Sequence, residues 1–177
     1  MISKTKPQNF IVVVTLILGL VSGIGLASTA SYYSGSYVIV SYLQIDLDEV
    51  RVTNVDPTNT SINPSIALDF SFVAPETSDG EATVSYLVAT VYINGDKMNY
   101  ASFRKNIPRD YRDITSGYDM VFTVASSITE MADKYVLYNA TADGDWTFSI
   151  TLTVFYHVFN SPSESVRIIP FSYEGNW

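Results

Sequence analysis

The chain has no cysteine and one histidine. Without cysteine there are no disulfides, no thiolate chemistry and no cysteine-held zinc. With His157 the single histidine, a multi-histidine metal site or a Ser-His-Asp triad has almost nothing to build with. Charge is scarce as well: 16% of the residues are charged, against about 25% in an ordinary soluble protein. Basic residues are the smaller share, with 10 Lys plus Arg against 18 Asp plus Glu and a net charge of -8. That balance argues against a protein that tracks nucleic-acid phosphates. No glycine-rich phosphate loop is present, and no cofactor is implied. What the chain does have is apolar bulk: 47% hydrophobic residues and 13 tyrosines in 177 residues. This composition excludes global disorder and fits about one domain.

Residues 10–27, FIVVVTLILGLVSGIGLA, carry no charge. As a helix they extend about 27 Å, close to the hydrocarbon thickness of about 30 Å. They read as a single transmembrane anchor preceded by a tail, 1–9. Lys4 and Lys6 lie before the segment, and the first acid, Asp46, comes well after it. The positive-inside tendency therefore places the N-terminus in the cytoplasm and the remainder outside the cell membrane. A cleaved signal peptide is the alternative, with small residues at Gly25, Ala27, Ser28 and Ala30 around the cut. The run exceeds the usual apolar region of a signal, about 7–15 residues, so the anchor is preferred. Residues 28–36 (STASYYSGS) read as a tether. Tyr32, Tyr33, Tyr37 and Tyr42 suit either the membrane interface or packing on the domain. Residues 31–177 hold 8 basic and 18 acidic side chains, which gives them a charge of -10.

From about residue 37 to 177 the period is two. Trp146, Phe148, Ile150, Leu152, Val154, Tyr156 and Val158 alternate with Thr147, Ser149, Thr151 and Thr153. This is a long half-buried antiparallel strand. Phe155 and Phe159 on the second face suggest cover on both sides there. Shorter alternations lie at 66–72 and 118–124, and one at 43–47 slips phase to Val50 and Val52. The slip predicts a bulge near Asp48–Glu49. Residues 83–94 are apolar on both faces, as in a central strand. Asn94-Gly95 then predicts a hairpin into Lys97–Phe103, because both turn positions favour positive φ. A last strand, Val166–Tyr173, is entered through Asn160-Ser-Pro-Ser; Pro170 cannot donate to a ladder, so this strand belongs at an edge. Ser127-Ile-Thr-Glu130 has the form of a capping box ahead of a short helix at about 128–136. The expectation is all-β: an antiparallel two-sheet sandwich of about seven strands with one short helix, behind a single N-terminal transmembrane helix.

The order of parts resembles the late-embryogenesis-abundant type 2 domain, also called the water-stress and hypersensitive-response domain. The matching pieces are IALDFSFVAPE, with Ala74-Pro75-Glu76 at the family's Asn-Pro-Asn turn, and VSYLVATVYINGDKM, with Tyr92-Ile-Asn94-Gly95. After them come SITEMADKY, DWTFSITLTVFY and the closing RIIPF. The turn keeps Pro75 alone. The resemblance covers roughly residues 40–174 and implies a non-enzymatic sandwich, often on one N-terminal anchor, associated with stress protection. For such domains a lipid cavity between the sheets has been proposed.

Other constellations carry less. His157 reads as a packed or surface histidine. Asp143-Gly-Asp145, with Asp46 or Asp48, offers oxygens to calcium, but calcium takes about 6–8 of them, and Asp-Gly is an ordinary turn. The paired carboxylates fit an acidic surface as well as a catalytic cleft, so an exported enzyme is the weakest reading. Lys97, Arg104, Lys105, Arg109 and Arg112 are five of the eight basic residues beyond the anchor. They form either a solvated loop or a docking patch for an acidic partner or headgroup. Asn59 and Asn139 begin glycosylation sequons, both expected in loops on the exported side; Asn63-Pro-Ser is excluded by its proline. The functional expectation is a non-enzymatic, membrane-anchored sandwich that binds a protein, glycan or lipid. The alternative is a structural subunit of a surface layer or membrane complex.

Overall fold

The strict alternation of the long strand sets the architecture. In a computed structural model, which describes residues 6–99, 103–144, 146–158, 161 and 163–175, Trp146–Val158 forms an unbroken 13-residue strand, β8. Trp146, Phe148, Ile150, Leu152 and Val154 are buried, at 0–2% exposure. Thr147 and Ser149 are exposed, and Thr151 and Thr153 are half-buried. Phe155, on the second face, stacks on Tyr86 with ring centroids 4.0 Å apart, so this end of the outer face has aromatic cover. Lys4, the side chain of Lys6, Asp145, Phe159, Asn160 and Pro162 lie outside the described residues.

Among the described residues nine strands form two antiparallel sheets. In chain order they are β1 (Gln44–Thr53), β2 (Ser65–Val73), β3 (Ala82–Ile93), β4 (Asp96–Lys97), β5 (Arg104–Asn106), β6 (Asp113–Ile114), β7 (Asp119–Ser127), β8 and β9 (Ser165–Gly175). The smaller sheet runs β1-β2-β7. The larger runs β4-β3-β8-β9, with β5 and β6 also paired to β3. The count exceeds seven because β4, β5 and β6 are two- or three-residue pieces, too short to show alternation. β5 packs near β7 on one side of the sandwich, and β1 near β9 on the other. Phe70, Phe72, Phe103 and Phe148 lie between the sheets with no exposure.

The register shifts between Leu47 and Glu49, where the phase slip predicted a bulge. Asn94 and Gly95 have φ of 51° and 90° and close the β3–β4 hairpin. The strand expected after it covers only Asp96–Lys97 before the chain leaves the ladder. Residues 100–102 lie outside the described ones. β9 is an edge strand, with Pro170 opposite Thr151.

Three local expectations are corrected. The first helix, α1, does not stop near Ala27: it runs Lys6–Tyr42, so residues 28–36 are helix and form no separate linker. Two of their hydroxyls bond back within the helix, Thr29 to the Gly25 carbonyl and Ser36 to that of Tyr32. The second helix, α2, spans Met131–Asp143 and begins later than predicted. Ser127 belongs to β7. Glu130 occupies the N-cap without a side-chain cap bond and instead accepts the Asn99 amide, so no capping box forms. Asn139 consequently lies inside α2 rather than in a loop.

α1 is long and apolar enough to cross a membrane from Phe10 onward. At 1.5 Å per residue its 37 residues extend about 55 Å, well beyond the hydrocarbon of about 30 Å.

Candidate functional site at the helix–sandwich junction

The last three turns of α1 are seated in the sandwich. A Cβ on Gly35 would lie 1.7 Å from the Asp79 carbonyl oxygen, and one on Gly80 would lie 2.2 Å from the Ser36 nitrogen. Two residues without side chains therefore let helix and loop backbones touch. Gly80 has φ +113° besides, a conformation that glycine adopts without strain. Ser36 is fully buried. Its Oγ donates to the Tyr32 carbonyl and accepts the Glu81 N–H, both at 2.9 Å. Ile39 has no exposure and Leu43 has 7%, and both join the main core.

Arg167 of β9 closes the joint. Its Nη1 donates to the Leu43 carbonyl at 2.8 Å. A cation there satisfies an otherwise unpaired carbonyl and opposes the negative end of the helix dipole. Among the described residues this is the only protein acceptor that the guanidinium uses. Three openings meet at Arg167. The largest, about 630 Å³, lies between α1 and the β8–β9 end, lined by Tyr37, Val40, Tyr156 and Val158 with the hydroxyls of Ser41, Ser161 and Ser165. A second, about 540 Å³, is shallow and polar, along Ser41, Gln44 and Asp46. The third is an apolar recess of about 10 Å³ beside Ile39, Val84 and Val154, room for about one water. The larger cleft thus combines apolar side chains, three serines, two tyrosines and a cation, with no carboxylate among the described residues of its lining.

The five basic residues are not brought to one point. Lys97 lies opposite Tyr92, with Nζ 5.9 Å from the ring centroid. Arg104 and Lys105 lie opposite Val88 and Leu87. Arg109 is in a single 3-10 turn, Arg109–Tyr111. Arg112 accepts the Val84 N–H on its carbonyl and donates its Nε to the Ile107 carbonyl. They form a strip along the β3 edge between the levels of Val84 and Tyr92, about 26 Å at 3.3 Å per residue.

The remaining candidates separate. Asp143 ends α2, and Gly144 (φ 78°) is its left-handed stop, so the Asp-Gly pair serves as a helix terminator. Asp145 is outside the described residues, while Asp46 stands at the other end of the sandwich, two residues into β1. Among the described residues no three carboxylates or histidines gather as metal ligands. His157 lies half-buried on β8, with Nδ1 3.2 Å from the Ser161 carbonyl oxygen and Nε2 3.7 Å from Glu164. Asn59 is exposed in the β1–β2 loop, and Asn139 is exposed on α2.

Sequence reasoning missed several residues. Arg167 is the sole charge in VRIIPF, a weak mark. Lys134 is buried at 3% exposure, its ammonium donating to the Thr60 and Ile62 carbonyls. It staples the β1–β2 loop to α2. Beside it, burial raises the Asp133 carboxyl above the ordinary range, against the opposing pull of the Asn99 N–H. On the smaller sheet Asp69 is engaged by Arg51 and by the Thr123 hydroxyl. Burial likewise pushes the Tyr118 phenol up to about 12, and its hydroxyl donates to the Tyr111 carbonyl.

No protein-family model matches the sequence, and no curated protein does. One solved structure shares the fold at low identity, and a second is more distantly similar. A solution structure from Arabidopsis thaliana matches with a TM-score of 0.51 at 9% identity, over 75% of this chain and 80% of that one. A crystal structure of a protein from Archaeoglobus fulgidus matches with a TM-score of 0.47 at 12% identity, over 75% and 98%.

Proposed function

We propose that this chain is a non-enzymatic, single-pass membrane protein whose sandwich stands outside the cytoplasm and holds an amphiphile with one acidic group at the Arg167 cleft. Of protein, glycan and lipid, the cleft chemistry favours lipid. The observation that carries the reading is the joining of apolar side chains, three serines and an incompletely used guanidinium directly above a membrane-length helix. A domain of charge -10 repels anions at long range, so Arg167 is a local exception suited to one acid, with Asp46 the carboxylate in the adjoining opening. The site differs from a cavity between the sheets, where aromatic side chains occupy the space. Lys4 and Lys6 support an N-terminus held in the cytoplasm. Asn59, exposed in a loop, is the stronger of the two glycosylation candidates. Kinship with late-embryogenesis-abundant type 2 domains draws its support from the order of strand, Asn-Gly hairpin, helix, long strand and Pro170-Phe171 edge strand.

The test is native mass spectrometry of the full-length protein extracted in mild detergent. The wild type should retain one acidic lipid per chain, Arg167→Lys should keep it, and Arg167→Gln should lose it while remaining folded, with a melting temperature lowered by the lost bond to the Leu43 carbonyl. Lipid-free wild type, or equal retention in Arg167→Gln, overturns the assignment.

A further inference from the structure

The two sides of the sandwich differ in charge. On the β5–β7 side, residues 96–113 hold five basic and three acidic side chains. Lys97, Arg104 and Arg109 are exposed and Lys105 is half-buried. None of the four has an ion-pair partner among the described residues. On the β1–β9 side, β1 carries Asp46, Asp48 and Glu49 against one Arg51, and β9 adds Glu174 and Arg167, the latter sharing an opening with Asp46. All three acids of β1 are exposed, and Arg51 is held by Glu49 and Asp69.

The heights agree. β1 leaves the end of α1, and Ile45 shares a recess with Ala82, Val84 and Ile114. Asp46 is therefore level with Val84 on β3, where the Arg112 carbonyl is bonded and Arg109 stands nearby. Glu49, about 10 Å further along the strand, is level with Leu87 and Val88, the partners of Lys105 and Arg104. Both strands run away from the junction, and the seated helix fixes that direction relative to the anchor.

We propose that the basic strip is a docking surface for a second copy of this chain, taking the acidic β1 edge of a neighbour anchored in the same membrane. The contact is heterologous: each copy presents one edge to the neighbour on its left and the other to the neighbour on its right. It propagates as a row in the membrane plane and needs no rotation of the anchors. Confinement to the bilayer keeps the edges at equal height and raises their effective concentration. The inference rests on the anchored topology, though not on the lipid cleft.

The natural absence of cysteine makes the test direct. Glu49→Cys and Arg104→Cys are prepared as separate full-length variants, reconstituted singly and mixed in vesicles of zwitterionic phospholipid, and oxidised mildly. The mixture should give several-fold more disulfide dimer than either variant alone. The yield should fall in 1 M salt, where screening shortens from about 10 Å to about 3 Å. In the otherwise native chain, Arg104→Glu with Lys105→Glu should abolish chemical cross-linking of the vesicle-bound protein, and adding Asp46→Lys with Glu49→Lys should restore it. A mixture no better than the single variants, or a yield indifferent to salt, overturns the proposal and leaves the strip to a foreign acidic partner. Flotation with the vesicles is scored separately: chain that does not float refutes the anchor itself, whereas floating chain without cross-links refutes only the row.

Discussion

At the scale of single residues, the main distinction is between side chains that fill the core and those that complete a polar contact. Leu152 is fully buried at the centre of β8, opposite Ala89 and Ile169. Its truncation to Ala should cost about 2–5 kcal/mol, since the lost methyl groups leave a void that neighbours fill only in part. Thr151 points to the other face, between Thr90 and Pro170, and Thr151→Ala should cost about 0.5 kcal/mol. Denaturant melts of the two variants give the comparison; similar small losses would mean that the inter-sheet wall is elsewhere. Alternation alone placed Leu152 in the core, because one face of a half-wet strand must be dry. No such rule predicts Lys134 or Arg167. Their acceptors, Thr60 and Ile62 for one and Leu43 for the other, lie 72 to 124 residues away in sequence.

Among the elements, α1 departs most from its expected extent. Its apolar stretch marked 10–27, yet the helix continues for 15 more residues to Tyr42. Packing against the sandwich supplies what propensity lacks in a segment of Ser, Thr, Tyr and Gly. Gly35 is the contact that allows it. Gly35→Ala drives a methyl group into the Asp79 carbonyl and should destabilise the protein by about 1–3 kcal/mol, the usual range for overpacking. Gly23→Ala meets nothing within 4 Å and should leave the thermal midpoint unchanged. Equal midpoints for the two variants in detergent would refute the seated joint. α2 shows a second kind of override. Ser127 matches the capping-box spacing, but β7 pairs it with Ser65, and ladder bonding over nine residues outweighs one cap.

For the molecule as a whole, the end of α1 and the sandwich are one packed unit, because Ile39 and Leu43 belong to the same core as β8. The uncleaved reading predicts that the mature chain begins ahead of Phe10. N-terminal sequencing checks this: a start at Ser28 or Ser31 would reduce α1 to the strut that packs on the sandwich. The division between what was legible and what was not follows the range of the interactions. Local periodicity and turn chemistry determined the apolar span, the long strand, the Asn94-Gly95 hairpin, the bulge near Asp48 and the edge position of Pro170. Each of these depends on backbone geometry within a few residues, which side-chain pattern reports directly. Tertiary structure alone decided that Gly35 meets Gly80, that Arg167 reaches the end of α1, and that the basic strip and the acidic β1 edge lie on opposite sides. Those placements depend on which strands become neighbours, and chain closure over tens of residues leaves no periodic mark in the sequence.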